Sequence, residues 1–304
     1  MTHRALLFLM VMTTFNHATG QNFIELNNDT LHLKLDLSRG GVIAYLSVSG
    51  SNRNLINTHD EGRYVQQSYY AGKRLDRKSE GQSHQWSPWP WNPIQVGDAF
   101  NNRAALLESK KQGNTVYVKC IPMLWDMNNK PAEAIMEQWT TLTGSVLKVH
   151  NKLTCMRTDT LYGEGSKSSQ ELPAVYPISA LKNLYTYLGK NPFTGETFSK
   201  LEVKHLEDGF WGRYHEDKIT EHWMAFVNDG NWGMAVYTPT CVNFLAGMYL
   251  QPGGESKDPS TSYMAPIKQE ELLKNSVYEY DYFLLIGDLE EMRSKIYKLN
   301  ATQK

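Results

Sequence analysis

Leucine recurs at every second position in Thr30-Leu-His-Leu-Lys-Leu-Asp-Leu37, and the chain then turns at Ser38-Arg-Gly-Gly41. A period of two places these leucines on one side of an extended chain, so the segment reads as a half-buried β-strand. The same period returns in residues 41–49, 115–121 and 145–154. Further strands are expected at 223–228, 232–238, 242–249 and 278–286, with Gly, Pro, Asn or Asp in the gaps between them. Helical spacing is clear only in residues 288–299, where Asp288 is placed to cap the N-terminus and Leu289, Met292, Ile296 and Leu299 share a face. Residues 60–72 and 180–189 are expected to hold a turn or two of helix. Many strands, few helices and neither an internal repeat nor a low-complexity linker imply an all-β chain. The expected architecture is a large antiparallel β-sandwich with a short C-terminal helix, formed as a single domain over residues 21–304.

At the start of the chain, His3 and Arg4 precede the apolar run Ala5-Leu-Leu-Phe-Leu-Met-Val-Met12, which is too short to span a bilayer, and small and polar residues follow through Gly20. This is the pattern of a secretory signal peptide over residues 1–20, with cleavage near Ala18-Thr19-Gly20, so the mature chain is expected to be secreted or periplasmic with no membrane attachment. The other reading of residues 5–12 is an ordinary buried strand or helix. About 280 residues follow the leader, ample for a substantial core. A formal net charge of −1, with both signs dispersed, provides no footprint for nucleic acid or an anionic membrane. Cys120, Cys155 and Cys241 are too few for a disulfide framework and lack the spacing of a zinc site, so no metal and no cofactor is expected. One pair could close in an oxidising compartment, or all three could be small buried apolar residues.

The densest unusual stretch is Gly62-Arg-Tyr-Val-Gln-Gln-Ser-Tyr-Tyr70, followed by Trp86-Ser-Pro-Trp-Pro-Trp-Asn-Pro93 and Gln95-Val-Gly-Asp98. Proline fixes φ and removes ladder donors, so the tryptophan segment is expected to be a stiff irregular loop that presents its rings. Sugar rings lay apolar faces on aromatic planes while amides and charged groups bond their hydroxyls, which makes Arg63, Gln66, Gln67, Tyr70, Trp89, Trp91, Asn92 and Gln95 candidate substrate contacts. The competing reading has Trp89 and Trp91 plug the end of the sandwich as satellite core. A second cluster, Glu171-Leu-Pro-Ala-Val-Tyr176-Pro177, contributes Glu171 as a candidate catalytic carboxyl and Tyr176 as a further contact. A third, Glu221-His222-Trp223, contributes Glu221 and, as a substrate contact, His222, although a lone histidine at a strand start is more often structural.

Tyr249-Leu-Gln-Pro-Gly-Gly, Tyr263-Met-Ala-Pro266 and Tyr278-Glu-Tyr-Asp-Tyr-Phe-Leu284 together resemble the end of a galactose mutarotase (aldose 1-epimerase) type domain. The resemblance implies the β-supersandwich shared by epimerases, several glycoside hydrolase families and the central domain of many polysaccharide lyases. Where a mutarotase would carry its catalytic Glu before that Pro this chain has Gln251, which cannot act as a general base, so simple mutarotation is disfavoured. The mutarotase histidine motif is not seen either, and Glu171 stands near its expected place.

Glycoside hydrolysis needs two carboxyl groups across the bond, and Glu171 with Asp98 is the first pair, with Glu221 as substitute. A polysaccharide lyase instead needs a Tyr or His base beside a uronate and a neutralising group, which Arg63, Gln67, Tyr70 and His84 or His222 could supply. A non-catalytic carbohydrate-binding protein needs only the aromatic platform. The order of expectation is hydrolase, then lyase, then binding protein, each with an oligo- or polysaccharide partner.

Overall fold

The computed structural model describes residues 22–157, 160–163, 167–209, 211–215, 219–241 and 243–302. The expected leader, residues 1–20, lies outside the described residues. Two large antiparallel sheets pack face to face. The first runs in the order Phe23–Asn27, Leu31–Asp36, Val42–Val48, Val65–Ser68, Ser168–Val175, Thr261–Glu270, Asn243–Tyr249, Gly212–His215, with the short strands Pro93–Ile94 and Met123–Leu124 attached off this path. The second runs Ser199–Leu201, Asn183–Thr186, Trp223–Val227, Trp232–Tyr237, Val277–Asp288, Val146–Cys155, Ala134–Thr143, Thr115–Ile121, Ala105–Gln112.

The period-2 segments build the core. Leu31, Leu33 and Leu35 are fully buried and join Ile43, Val65, Val175 and Met264 of the first sheet to Val116, Leu147, Met224 and Leu284 of the second. Burying each such side chain contributes roughly 1.5–3 kcal/mol. All three cysteines are buried and none forms a disulfide. Beyond the second sheet, helix Leu289–Thr302 lays Leu289, Met292 and Ile296 on Trp223, Tyr237 and Phe283, and Asp288 Oδ1 accepts from the Glu290 amide at its start. Among the described residues no helix is long and apolar enough to cross a membrane.

Neither of the two segments with room for a turn or two of helix forms one, and each contains a short strand. Val65–Ser68 lies within residues 60–72, and Asn183–Thr186 within 180–189. In both, sheet pairing overrides a local helical preference too weak to stand alone. The tryptophan segment is not wholly irregular: Trp89–Trp91 pairs with Ala71–Leu75 in a two-stranded ribbon. Gly72 holds that ribbon close to the body, at φ 73°, where a Cβ would stand 2.5 Å from the Tyr162 carbonyl oxygen.

Candidate active site

Glu171 lies in a central strand of the first sheet, between Gln170 and Leu172, both buried in or against the core. Neighbours on a strand face opposite ways, so Glu171 projects from the outer face of that sheet. Pro173 lacks the N–H a central strand needs, and the ladder to both neighbouring strands shifts register between Glu171 and Val175. Segments 60–63, 70–74 and 85–101 rise around this face and enclose an open cavity of about 1050 Å3.

Aromatic rings form two walls. Trp125, Trp86, Trp89 and Tyr70 follow one another edge to face, with centroids 5.6, 5.1 and 6.3 Å apart. On the other side Tyr176 and Trp211 flank Tyr263 at 4.8 and 4.6 Å. Between the walls the Tyr70 hydroxyl donates to Glu171 Oε1 at 3.3 Å. Ser68 is the direct cross-strand neighbour of Glu171. Its hydroxyl and that of Tyr263 act on the same carboxyl, yet neither completes a well-formed hydrogen bond among the described residues. Burial raises the Glu171 pKa above the ordinary carboxylate range, and the Tyr263, Tyr70 and Ser68 hydroxyls only partly offset it. Burial and the Glu171 charge together push the Tyr70 and Tyr263 phenols well up, so both keep their protons at neutral pH and Tyr70 is the donor to Glu171.

The structure brings Glu171, Arg63, Gln66, Tyr70, Trp89, Asn92, Asp98 and Tyr176 to this cavity. Arg63 is nearly buried, bonded to Asn57 Oδ1 and the Pro259 carbonyl and paired with Asp60, and it stacks on Tyr249. Asn92 orients the tryptophan wall by accepting from Trp89 Nε1 at 3.0 Å while donating to the Tyr69 carbonyl. Gln66 has both ends occupied, by the Glu61 and Arg63 carbonyls and the Val96 amide.

Several expectations are corrected. Asp98 borders the cavity but has no solvent exposure, and its oxygens accept from the Phe100, Asn102 and Asn129 amides and the Asn102 side chain. A carboxylate saturated in this way anchors a loop, so Asp98 is not available as the partner of Glu171. Glu221 lies apart from the cavity, beneath the C-terminal helix, in an ion pair with Arg293. His222 bonds the Pro239 carbonyl and does not line the cavity, and neither does His84. Trp91 is packed in the core, with the Arg157 guanidinium 5.4 Å from its ring. Gln67 and Gln95 lie between the sheets, where Tyr69, Gln138, the Glu137 and Gly40 carbonyls and each other satisfy them. Gln251 is exposed and lies outside the cavity lining. The residues the sequence did not single out are Arg74, Trp125, Arg213, Tyr249 and Tyr263. Trp125 and Arg74 carry no local signal, whereas Tyr249 and Tyr263 lie in quoted motifs without a role and Arg213 closes the stretch Phe210-Trp-Gly-Arg213 just ahead of the Glu221 cluster.

No family model matches the sequence, and no curated protein matches it. Its shape is similar to galactose mutarotase-like structures. One is an Escherichia coli K12 protein described as a candidate aldose 1-epimerase, at 10% identity and TM-score 0.49, with 87% of this chain and 98% of that one covered. Another is a galactose mutarotase related enzyme from Lactobacillus acidophilus, also at 10% identity and TM-score 0.49, covering 87% and 97%. A third is the alpha-N-acetylgalactosaminidase NagBb from Bifidobacterium bifidum, at 13% identity and TM-score 0.48, where 92% of this chain matches 39% of that one.

Proposed function

We propose that the chain is a carbohydrate-active enzyme, a glycoside hydrolase, in which Glu171 is the general acid. The observation that carries this reading is a carboxyl with a raised pKa between two aromatic walls, in reach of a phenol that stays protonated. The cavity lining contains no histidine among the described residues, and burial pushes the phenols of Tyr70 and Tyr176, which line it beside Glu171, well up, so proton transfer near neutral pH falls to Glu171. The second carboxylate is Asp60, whose side chain is 47% exposed at the same cavity. Tyr176 lines the same cavity, and the charges of both Glu171 and Asp60 add to burial in raising its pKa.

A second reading, elimination on a uronate by a lyase, is favoured by the guanidinium groups of Arg63, Arg74 and Arg213 at the cavity. Product analysis over a panel of plant, algal and host glycans separates the readings. New reducing ends without ultraviolet absorbance from a double bond mark the hydrolase, the absorbance marks the lyase, and retention without turnover marks a binding protein and overturns both.

The basic and apolar N-terminal pattern supports export as part of this proposal. N-terminal sequencing of cell-free material is expected to begin near Gln21, and recovery of the chain with an intact Met1 in the cytoplasm refutes it.

A further inference from the structure

Among the groups at the cavity, two cations are left over when charges are paired. Arg39 holds Glu61 at 2.9 Å, and Arg63 holds Asp60 at 3.3 Å. Asp98 is saturated by amides. Arg74 and Arg213 line the same cavity, are exposed, and among the described residues have no carboxylate partner. Arg74 is nevertheless held in place, because its guanidinium lies over the face of Trp89, 4.9 Å from the ring centroid. A guanidinium held against Trp89 in the lining of the cavity matches the planar, bidentate geometry of a carboxylate or sulfate.

Arg213 also stands apart from Glu171, and the two arginines come from different sheets. Arg213 belongs to the strand Gly212–His215, three places along the sheet from the strand of Glu171, which is about 14 Å at the usual strand spacing. Arg74 sits on the ribbon strand Ala71–Leu75, whose partner strand supplies Trp89. A group bound at Arg213 therefore belongs to a different sugar unit from the one at Glu171.

We infer that the glycan accepted by this cleft is an anionic oligo- or polysaccharide, with Arg74 and Arg213 binding carboxylate or sulfate groups on separate units. The inference rests on the cleft being a sugar site, and it holds whether Glu171 acts in hydrolysis or beside an elimination. The chain as a whole has a formal net charge of −1, so a polyanion has no general attraction to it and retention reports the site.

The test is affinity electrophoresis of the full chain through gels containing matched polymers. One pair is polygalacturonate and its methyl ester, the other a sulfated galactan and the same galactan after desulfation. Retardation by one charged member, weak or absent with its uncharged counterpart, is expected, and the pair that responds tells carboxylate from sulfate. In the R74A/R213A variant that retention should weaken roughly tenfold or more, as for loss of charge-assisted bonds, and R74K/R213K should restore part of it. Both sites are exposed, so circular dichroism of the variants should match the parent. Equal retention by charged and uncharged members, undiminished retention in R74A/R213A, or no retention by either charged polymer overturns the inference. Turnover on a neutral glycan with none of this retention would leave the hydrolase reading standing and refute this one alone.

Discussion

The Glu171→Gln enzyme is expected to lose at least ~100-fold in turnover, the usual scale for removing general acid catalysis, while keeping its affinity for glycan. The amide preserves the volume and can still accept from the Tyr70 hydroxyl, but it has no proton to deliver to a leaving oxygen. The pH profile checks the assignment. Burial raises the Glu171 pKa, so the acid form persists above the ordinary carboxylate range, and activity should fall as pH rises through that raised value. This alkaline limb should vanish in the variant.

Stability supplies an independent readout with a fixed sign. A carboxyl whose folded pKa lies above its unfolded value leaves the folded state holding the extra proton. Its favourable contribution is complete below the unfolded value and is lost as pH rises through the folded one. Glu171→Gln should therefore melt higher than the parent at neutral and mildly alkaline pH and converge with it in acid. A variant that is inactive and also less stable at neutral pH would point to damage rather than chemistry. Full activity with an unchanged alkaline limb would remove Glu171 from its role.

The parts of the fold that were legible in the sequence are those where one face is apolar and the other wet. Thr115–Ile121 alternates cleanly and appears within the expected bounds. Ala134–Thr143 is equally alternating in burial, but Gln138 and Thr140 occupy inward positions, so residue type hides the period. Thr261–Glu270 is buried on both faces over most of its length and contains Pro266, which gives neither alternation nor an uninterrupted apolar run.

At the site, chemistry named the right segments and strand parity decided among their residues. Gln66 and Gln67 are adjacent, so only one of the two can face the cleft. Gln66 does, while Gln67 bonds Tyr69 in the interior. Gln170 and Glu171 divide in the same way. That parity was readable, but which face carried the cleft was not, because loops distant in sequence build it. Trp125 reaches its wall from a segment with no sugar-site pattern of its own, and Trp211 from the Phe210-Trp-Gly-Arg213 stretch that precedes the Glu221 cluster, where residue type alone assigns no role.

Glu221→Ala is expected to lower stability by about 3–5 kcal/mol, the cost of leaving a buried ion without its partner. Arg293 reaches Glu221 from the C-terminal helix through two bonds, Nε to Oε2 at 3.0 Å and Nη2 to Oε1 at 2.9 Å. The Trp223 indole, the Phe193 amide and the Tyr297 hydroxyl also donate to the same carboxylate. Burial alone would raise the Glu221 pKa, but these donors outweigh it and hold the group below the ordinary range. With the folded pKa depressed, the contribution of Glu221 is present above the unfolded value and is lost as pH falls through the folded one. Thermal melts should therefore show a large gap between parent and Glu221→Ala at neutral pH that narrows in acid. Arg293→Met alone should also destabilise, since it leaves the carboxylate buried without its cation. The double variant Glu221→Leu/Arg293→Met should lose less than the two single losses added together, because no unpaired charge remains. Additive losses, or a gap that does not change with pH, would show that the helix is held by its Leu289, Met292 and Ile296 face and that the ion pair adds nothing.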